Sequence, residues 1–112
     1  MNNCPFCKIA AGELPAAIVH RSPDVIAFRD IHPQAPTHIL IVPIKHLVSV
    51  DDVQAEDVQL MGRLIATAKD IARDLGLRGY RLVINTGREA GQSVFHLHVH
   101  LLSGRALHWP PG

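Results

Sequence analysis

The chain has 112 residues, of which 47% are hydrophobic and 19% are charged, so residues 1–112 are expected to form one globular domain and intrinsic disorder is excluded. A net charge of +1, with no run of lysine or arginine, argues against a nucleic-acid polymer as partner. The sequence also lacks a basic leader and the ~20 consecutive apolar residues of a membrane span, so we expect a soluble protein of the cytoplasm.

Short strands are predicted in the first part of the chain. Residues 17–20 and 25–30 have strand patterns and flank a turn at residues 21–24. Residues 31–37 contain two prolines and predict an ordered loop, because proline cannot donate to a strand ladder. Residues 38–43 are rich in β-branched side chains and end at a proline, which predicts a third strand.

A long helix and two further strands follow. Between residues 55 and 75 apolar side chains recur at intervals of three and four, the spacing of one helix face, and Gly76 is a stop signal. Strands are predicted over residues 80–86 and 94–103, joined by a polar loop at residues 87–93. This order of elements predicts an α+β domain built on an antiparallel sheet.

Three histidines at alternate positions, His96, His98 and His100, are the strongest feature of the sequence. Because side chains alternate across a strand, the imidazoles share one face at intervals of roughly 6.6 to 6.8 Å, and the apolar residues between them face the core. This spacing suits one group that attacks a substrate and a neighbour that handles a proton or an oxyanion. Two alternatives are polar residues on a solvated face and a zinc-binding H-x-H pair.

Cys4 and Cys7 form a C-x-x-C motif. In a reducing compartment this motif indicates metal ligation or redox chemistry rather than a structural disulfide. Two cysteines cannot complete a tetrahedral zinc site, so a metal would need two more ligands. The alternative is a pair of reduced surface thiols.

The segment from Gly91 to Leu102 resembles the signature of the histidine triad (HIT) superfamily, and most closely that of its nucleotide-binding (HINT) branch. Similar segments extend over nearly the whole chain, at residues 6–9, 12–16, 27–31, 33–38 and 108–112. The resemblance implies a HIT-like fold with a five-stranded antiparallel sheet, one long helix and a short N-terminal helix. It also implies a homodimer in which two such sheets join into one of ten strands.

The resemblance implies a hydrolase that cleaves purine nucleoside 5′-phosphoramidates, such as amine or lysine conjugates of AMP, at the α-phosphorus through a covalent nucleotidyl-histidine. The alternatives are a dinucleoside polyphosphate hydrolase and a nucleotide-binding regulatory protein with incidental hydrolysis. A nucleotidylyltransferase of the galactose phosphate type fits less well, because those chains are far longer and place proline between the histidines. The implied partners are AMP or GMP conjugates and a second copy of the chain, and no organic cofactor is expected.

Individual roles also follow from the resemblance. His98 is the nucleophile, and a main-chain carbonyl binds its other ring nitrogen. His100 and His38 donate to phosphoryl oxygens and relay protons, and Ser93 lies near the leaving group. The residues implied to bind the nucleotide are Phe28, Asp30, Ile31, Asn85, Gly91, Gln92, Ser93, His98 and His100.

Within that set, Asp30 is implied to accept from the ribose hydroxyls, and the backbone at Gly91 and Gln92 to donate to the α-phosphate. Phe28 and Ile31 are implied to line the base pocket, although core packing explains each of them equally well when taken alone.

The metal-bearing bacterial-type members of the family hold a structural zinc, and the corresponding ligands here are Cys4, Cys7, His46 and His96. His96 is then a structural residue and catalysis rests on the other two triad histidines. The tail of residues 108–112, which contains the only tryptophan, is implied to reach the active site of the partner subunit. The remaining histidines, His20, His32 and His108, are expected at the surface.

Overall fold

The structure is a computed structural model that describes residues 3–112. Five strands pair in the order β1-β2-β3-β5-β4, and every neighbouring pair is antiparallel. The predicted α+β fold, with one long helix and a short N-terminal helix, is confirmed. The elements are α1 (Pro5–Ala10), β1 (Ile18–Arg21), β2 (Val25–Arg29), β3 (Thr37–Pro43), α2 (Val58–Asp74), β4 (Arg81–Val83) and β5 (Val99–Ser103), with 3₁₀ turns at Val50–Asp52, Ala55–Asp57 and Arg88–Ala90.

The last strand is shorter than predicted. Residues 94–98 do not pair in the sheet: the ladder between β3 and β5 stops at Ile41 and Val99, and hydrogen-bonding groups beyond that point have other partners. The carbonyl of Pro43 accepts from Nε2 of His96 at 2.8 Å, and the backbone N–H of Leu97 donates to the carbonyl of Leu47 at 2.6 Å. The prediction of a strand over residues 94–103 was therefore wrong for its first half.

Other boundaries differ by smaller amounts. The predicted helix over residues 55–75 begins as a 3₁₀ turn and becomes α-helical at Val58. The carboxylate of Asp57 accepts from the backbone N–H of Gln54 at 3.0 Å and stabilises that first turn. β4 covers three residues rather than 80–86, β1 is displaced by one residue toward the C-terminus, and β2 ends one residue early, before Asp30.

Apolar side chains pack on both faces of the sheet, because successive residues of a strand point to opposite sides. Ile39 and Ile41 of β3 pack with α2, whereas Leu40 and Val42 pack with α1. The apolar residues between the triad histidines, Leu97, Val99 and Leu101, lie in the α2 cluster. His98 and His100 are thereby directed to the α1 face, where His38 also lies.

The three remaining histidines differ in exposure. His32 and His108 are exposed, as expected. His20 is half-buried instead, and its Nε2 is buried without a hydrogen-bond partner among residues 3–112. Within the same range, no helix combines the length and the apolar character that crossing a membrane requires.

Candidate active site

A cleft of about 790 Å³ opens on the α1 face of the sheet. His38 of β3, His100 of β5 and His98, which immediately precedes β5, line it. Its walls come from α1 and the segment after it, from the β2–β3 connection, and from the loop before β5. Because β3 and β5 are neighbours in the middle of the sheet, the two strands bring together histidines that lie far apart in sequence.

His98 is held in one tautomer. Its Nδ1 lies 2.7 Å from the carbonyl oxygen of His96, and a carbonyl can only accept, so Nδ1 carries the proton. Burial lowers the pKa of His98, which keeps the ring neutral and leaves a lone pair on Nε2. Phe6 packs edge-on against the ring with centroids 5.1 Å apart. A fixed, neutral imidazole with an unshared pair is chemically able to act as a nucleophile.

His38 is fixed in the opposite tautomer. Its Nδ1 accepts the backbone N–H of Gln34 at 3.0 Å, so the proton of the neutral ring is on Nε2. That proton is directed to Nδ1 of His100 at 2.9 Å, and Oδ2 of Asp30 lies 3.3 Å from the same nitrogen outside hydrogen-bond geometry. Burial lowers the pKa of His38, and the charge of Asp30 only partly opposes that effect.

His100 is the third member of this chain of hydrogen bonds. Burial, together with its neighbours His98 and His38, lowers the pKa of His100 to about 4, so the ring is neutral at pH 7. When its Nδ1 accepts from His38, its own proton is on Nε2. In that state His100 can donate a hydrogen bond to an anion in the cleft.

Asp30, His38 and His100 could also be considered as metal ligands, because their ligand atoms lie within 4.8 Å of one another. A metal at Nε2 of His38 would need a lone pair there, and the ring proton would then be on Nδ1. That proton would face the N–H of Gln34, which lies 3.0 Å away. The geometry therefore favours a hydrogen-bonded chain over a metal site.

A second cluster does have the geometry of a metal site. The ligand atoms of Cys4, Cys7, His46 and His96 lie within 4.8 Å of one another. The distance from sulfur to Nδ1 is 3.2 Å for both the Cys4–His96 and the Cys7–His46 pair. In a tetrahedral zinc site with Zn–S about 2.3 Å and Zn–N about 2.0 Å, such atoms lie about 3.5 Å apart. These four residues can hold a metal ion.

The protonation of this cluster also fits a cation. Nε2 of His96 donates to the carbonyl of Pro43, which leaves the lone pair on Nδ1, directed at the cysteines. Burial and the neighbouring Cys4 raise the pKa of the Cys7 thiol to about 11, so a positive charge is needed to hold it as thiolate at neutral pH. His96 connects the two sites, because its ring faces the cysteines and its carbonyl binds His98.

The sequence model of the HIT domain family matches residues 11–107. The chain belongs to the HIT family. A HIT-like protein of Synechocystis sp. is 50% identical to it over 108 residues, which cover 96% of this chain and 95% of that protein. A HIT family hydrolase from Legionella pneumophila is 51% identical with a TM-score of 0.96, and the match covers 98% of this chain and 100% of that one. A histidine triad nucleotide-binding protein from Candida albicans is 30% identical with a TM-score of 0.84, covering 96% and 83%.

Most of the site residues predicted from the sequence line the cleft of this HIT domain. Ile31 is 83% exposed, so core packing does not explain it, whereas Phe28 is buried and also packs on Phe6. Ser93 is exposed at the mouth of the cleft. The predicted residues found in the lining are Phe28, Asp30, Ile31, His38, Gly91, Ser93, His98 and His100.

Two residues predicted to bind the nucleotide, Gln92 and Asn85, lie beside the cleft of the HIT domain rather than in its described lining. Gln92 is only 4% exposed. Its Oε1 accepts the N–H of Gly87 at 2.9 Å, and its Nε2 donates to the carbonyls of Val48 and Val94 at 2.7 and 3.1 Å. Gln92 therefore holds the shape of the loop. Asn85 is half-buried, with its side chain beside Gly91.

The backbone of this loop also differs from the expectation. The N–H groups of Gly91 and Gln92, which were expected to meet a phosphate, donate to the carbonyls of Arg88 and Gly87 at 3.0 Å each. Gly91 has a φ of +99°, a conformation that favours glycine, and this turns the chain toward Ser93. In this conformation the two N–H groups stabilise the loop of the HIT domain instead.

Sequence reasoning missed three residues of the HIT site. Gln34 and Pro43 act through backbone atoms, so their side chains give no signal. Phe6, which packs on His98, did carry a signal in the sequence, because it is an aromatic residue between the two cysteines.

Proposed function

We propose that this HIT domain hydrolyses purine nucleoside 5′-phosphoramidates with His98 as the nucleophile. The observation that carries the proposal is the bond from Nδ1 of His98 to a main-chain carbonyl, which leaves the Nε2 lone pair in a cleft lined by a second neutral imidazole. The name of the Legionella pneumophila relative supports hydrolysis, and that of the Candida albicans relative supports a nucleotide ligand.

The lining of the cleft fits the parts of a nucleotide. The carboxylate of Asp30, which lines the cleft, would accept from the two ribose hydroxyls, a contact that would select ribonucleotides. Ile31 and Phe28 offer apolar surface for a purine. The α-phosphate would then lie between Nε2 of His98 and the donor Nε2 of His100.

The reaction would proceed in two displacements. Nε2 of His98 attacks the α-phosphorus while the bond from phosphorus to the amine nitrogen breaks, and the amine leaves with an added proton. Water then attacks the phosphorus of the nucleotidyl-histidine and returns His98 to its neutral form. Ser93, at the cleft mouth, would relay a proton from solvent to the leaving amine, and general acid help of this kind contributes about 10²- to 10⁴-fold in rate.

Substitution of the nucleophile tests the proposal. We expect His98→Asn to lower the turnover of an adenosine phosphoramidate by several decades, because an amide cannot attack phosphorus. Binding of AMP, measured by calorimetry, should stay near the wild-type value. If more than about a tenth of the turnover remains, His98 is not the nucleophile. Assays with a dinucleoside polyphosphate on the same preparations distinguish the alternative hydrolase.

We also propose that Cys4, Cys7, His46 and His96 hold a structural zinc ion, since two thiolates and two imidazoles are a donor set that zinc prefers. When bound, the ion would supply the positive charge that the sulfurs need and fix the start of α1 to the segment before β5. The reaction itself would use only the cleft residues.

A homodimer is proposed on the basis of the β4 edge. Within the described chain β4 pairs on one side only, with β5, so its other side can pair with a second copy and give ten strands. Arg81 of β4 donates to the carbonyl of His108 at 2.9 Å and holds the tail at this edge. Trp109 is 82% exposed there, which is typical of an aromatic residue that meets a partner subunit.

A further inference from the structure

We propose that Asp30 and His38 couple recognition of the sugar to the phosphate donor: ribose hydroxyls that bind Asp30 remove its competing attraction for the Nε2–H of His38 and so strengthen the hydrogen bond from His38 to His100. The placement of ribose at Asp30 rests on the function proposed above, whereas the contacts among the three side chains do not.

His38 is held on one side by a backbone donor. Its Nδ1 accepts from the backbone N–H of Gln34, a donor that cannot ionise or rotate away. The ring is only 5% exposed, so water does not compete for it. His38 therefore has one proton to offer, at Nε2, and remains neutral.

The Nε2–H of His38 has two neighbours that can attract its proton. It is directed to Nδ1 of His100 at 2.9 Å, and the carboxylate oxygen Oδ2 of Asp30, 3.3 Å from the same nitrogen, attracts the proton without being aligned with it. The other oxygen of Asp30, Oδ1, already accepts the N–H of His32 at 2.8 Å. The carboxylate is 19% exposed, so it is open to the cleft from which a ribose would approach.

When ribose hydroxyls donate to Asp30, their hydrogen bonds weaken its attraction for the proton of His38. The hydrogen bond from His38 to His100 then becomes stronger. Nδ1 of His100 is then occupied, which fixes the His100 proton on Nε2, where it can donate to a phosphoryl oxygen. Without that constraint His100 can also adopt the Nδ1–H tautomer, which presents a lone pair to the phosphate and repels it.

The chain orients a donor and transfers no net proton. If His38 passed its Nε2 proton to His100 it would become an imidazolate, because Nδ1 faces an N–H donor and cannot take up a replacement. His38 is thus a positioning residue for His100, and the expected proton relay is replaced by a fixed orientation.

Kinetics with two substrates test the coupling. For the wild type, exchanging an adenosine phosphoramidate for its 2′,3′-dideoxy analogue should lower kcat by about tenfold in addition to raising KM, whereas a sugar that only binds would change KM alone. His38→Gln places a carboxamide NH₂ near the Nε2 position, with one hydrogen for each acceptor. In this variant the kcat penalty for the dideoxy substrate should largely disappear, while KM still rises. An unchanged kcat for the wild type, or an equal penalty in His38→Gln, would overturn the coupling.

Nitrogen-15 NMR of the imidazoles provides a readout that needs neither turnover nor a variant. His38 should show the Nε2–H tautomer with and without ligand, and AMP, but not 2′,3′-dideoxy-AMP at saturation, should move His100 fully to Nε2–H. If AMP produces that shift and no phosphoramidate is cleaved, the proposed reaction fails and the coupling stands. If the substrate is cleaved and the tautomer of His100 is the same with both sugars, the coupling alone fails.

Discussion

Backbone atoms set the tautomers of the site histidines. His98 donates to the carbonyl of His96, and His38 accepts from the N–H of Gln34. Since backbone groups do not ionise near neutral pH, these tautomers persist as long as the local fold does. The side chains then need only burial to stay neutral, and burial lowers the pKa of each of His38, His98 and His100.

This burial predicts a pH dependence of stability. A histidine with a lowered pKa binds fewer protons when folded than when unfolded, so its stabilisation is present above the unfolded pKa of about 6.5 and is lost as the pH falls toward the folded value. For His100 the window extends from about 6.5 down to about 4. The free energy of unfolding should decline there by at most about 1.4 kcal/mol per pH unit for each such histidine.

Urea titrations at several pH values measure this slope. The control is His108→Gln, which removes an exposed histidine and should leave the slope unchanged, whereas His100→Gln should reduce it. A stability that rises as the pH falls from 6.5 to about 4 would contradict the neutral, buried state.

At the scale of elements, the sequence predicted the sheet, the long helix and the alternation that directs Leu97, Val99 and Leu101 to the core. It did not predict where β5 begins, because that depends on the carbonyl of Pro43 accepting from a side chain 53 positions away. Nor could composition reveal the backbone donors, since every residue except proline carries an N–H. The alternation of apolar and polar residues determines which face of the sheet a side chain lies on. Tertiary contacts determine which atoms it binds there.

The loop before β5 should depend on Gln92. Gln92→Ala would leave the N–H of Gly87 and the carbonyls of Val48 and Val94 without their side-chain partner, at a cost of about 1–3 kcal/mol in unfolding free energy. Turnover should fall as well, because Ser93 follows in the same loop. Gln59→Ala, on the exposed face of α2, is the matched control and should change stability by less than about 0.5 kcal/mol. Equal melting curves for the two variants would contradict the role of Gln92.

The cluster of two cysteines and two histidines predicts a bound metal. Elemental analysis should find about one zinc per chain, and a double Cys4→Ser, Cys7→Ser variant should lose it. A chelator should lower the melting temperature more than it lowers activity at low temperature, because a bound ion would fix α1 to the segment before β5. If the wild type holds two zinc ions per chain and the double variant still holds one, Asp30, His38 and His100 bind metal after all. Immediate loss of activity with an intact fold would make the metal catalytic.

For the whole molecule, we expect a dimer at micromolar concentration by analytical ultracentrifugation. Truncation after Leu107 should leave it largely assembled, because β4 is retained, but should change the ranking of phosphoramidates by their amine, because the tail would shape the site of the partner subunit. Sedimentation of the intact chain as a monomer would contradict the dimer. An unchanged ranking would contradict the role of the tail.

The pairing of β3 with β5 has a kinetic consequence. Thr37 is opposite Ser103 in this ladder, so the central strand pair closes only after most of the chain is available. Contacts of such long sequence separation form slowly, because the entropy of closing the intervening loop is lost before they stabilise the chain. On the ribosome β1, β2 and β3 can meet first, whereas the cleft cannot exist until β5 has left the exit tunnel. Nucleotide binding should therefore appear only once β5 has paired with β3.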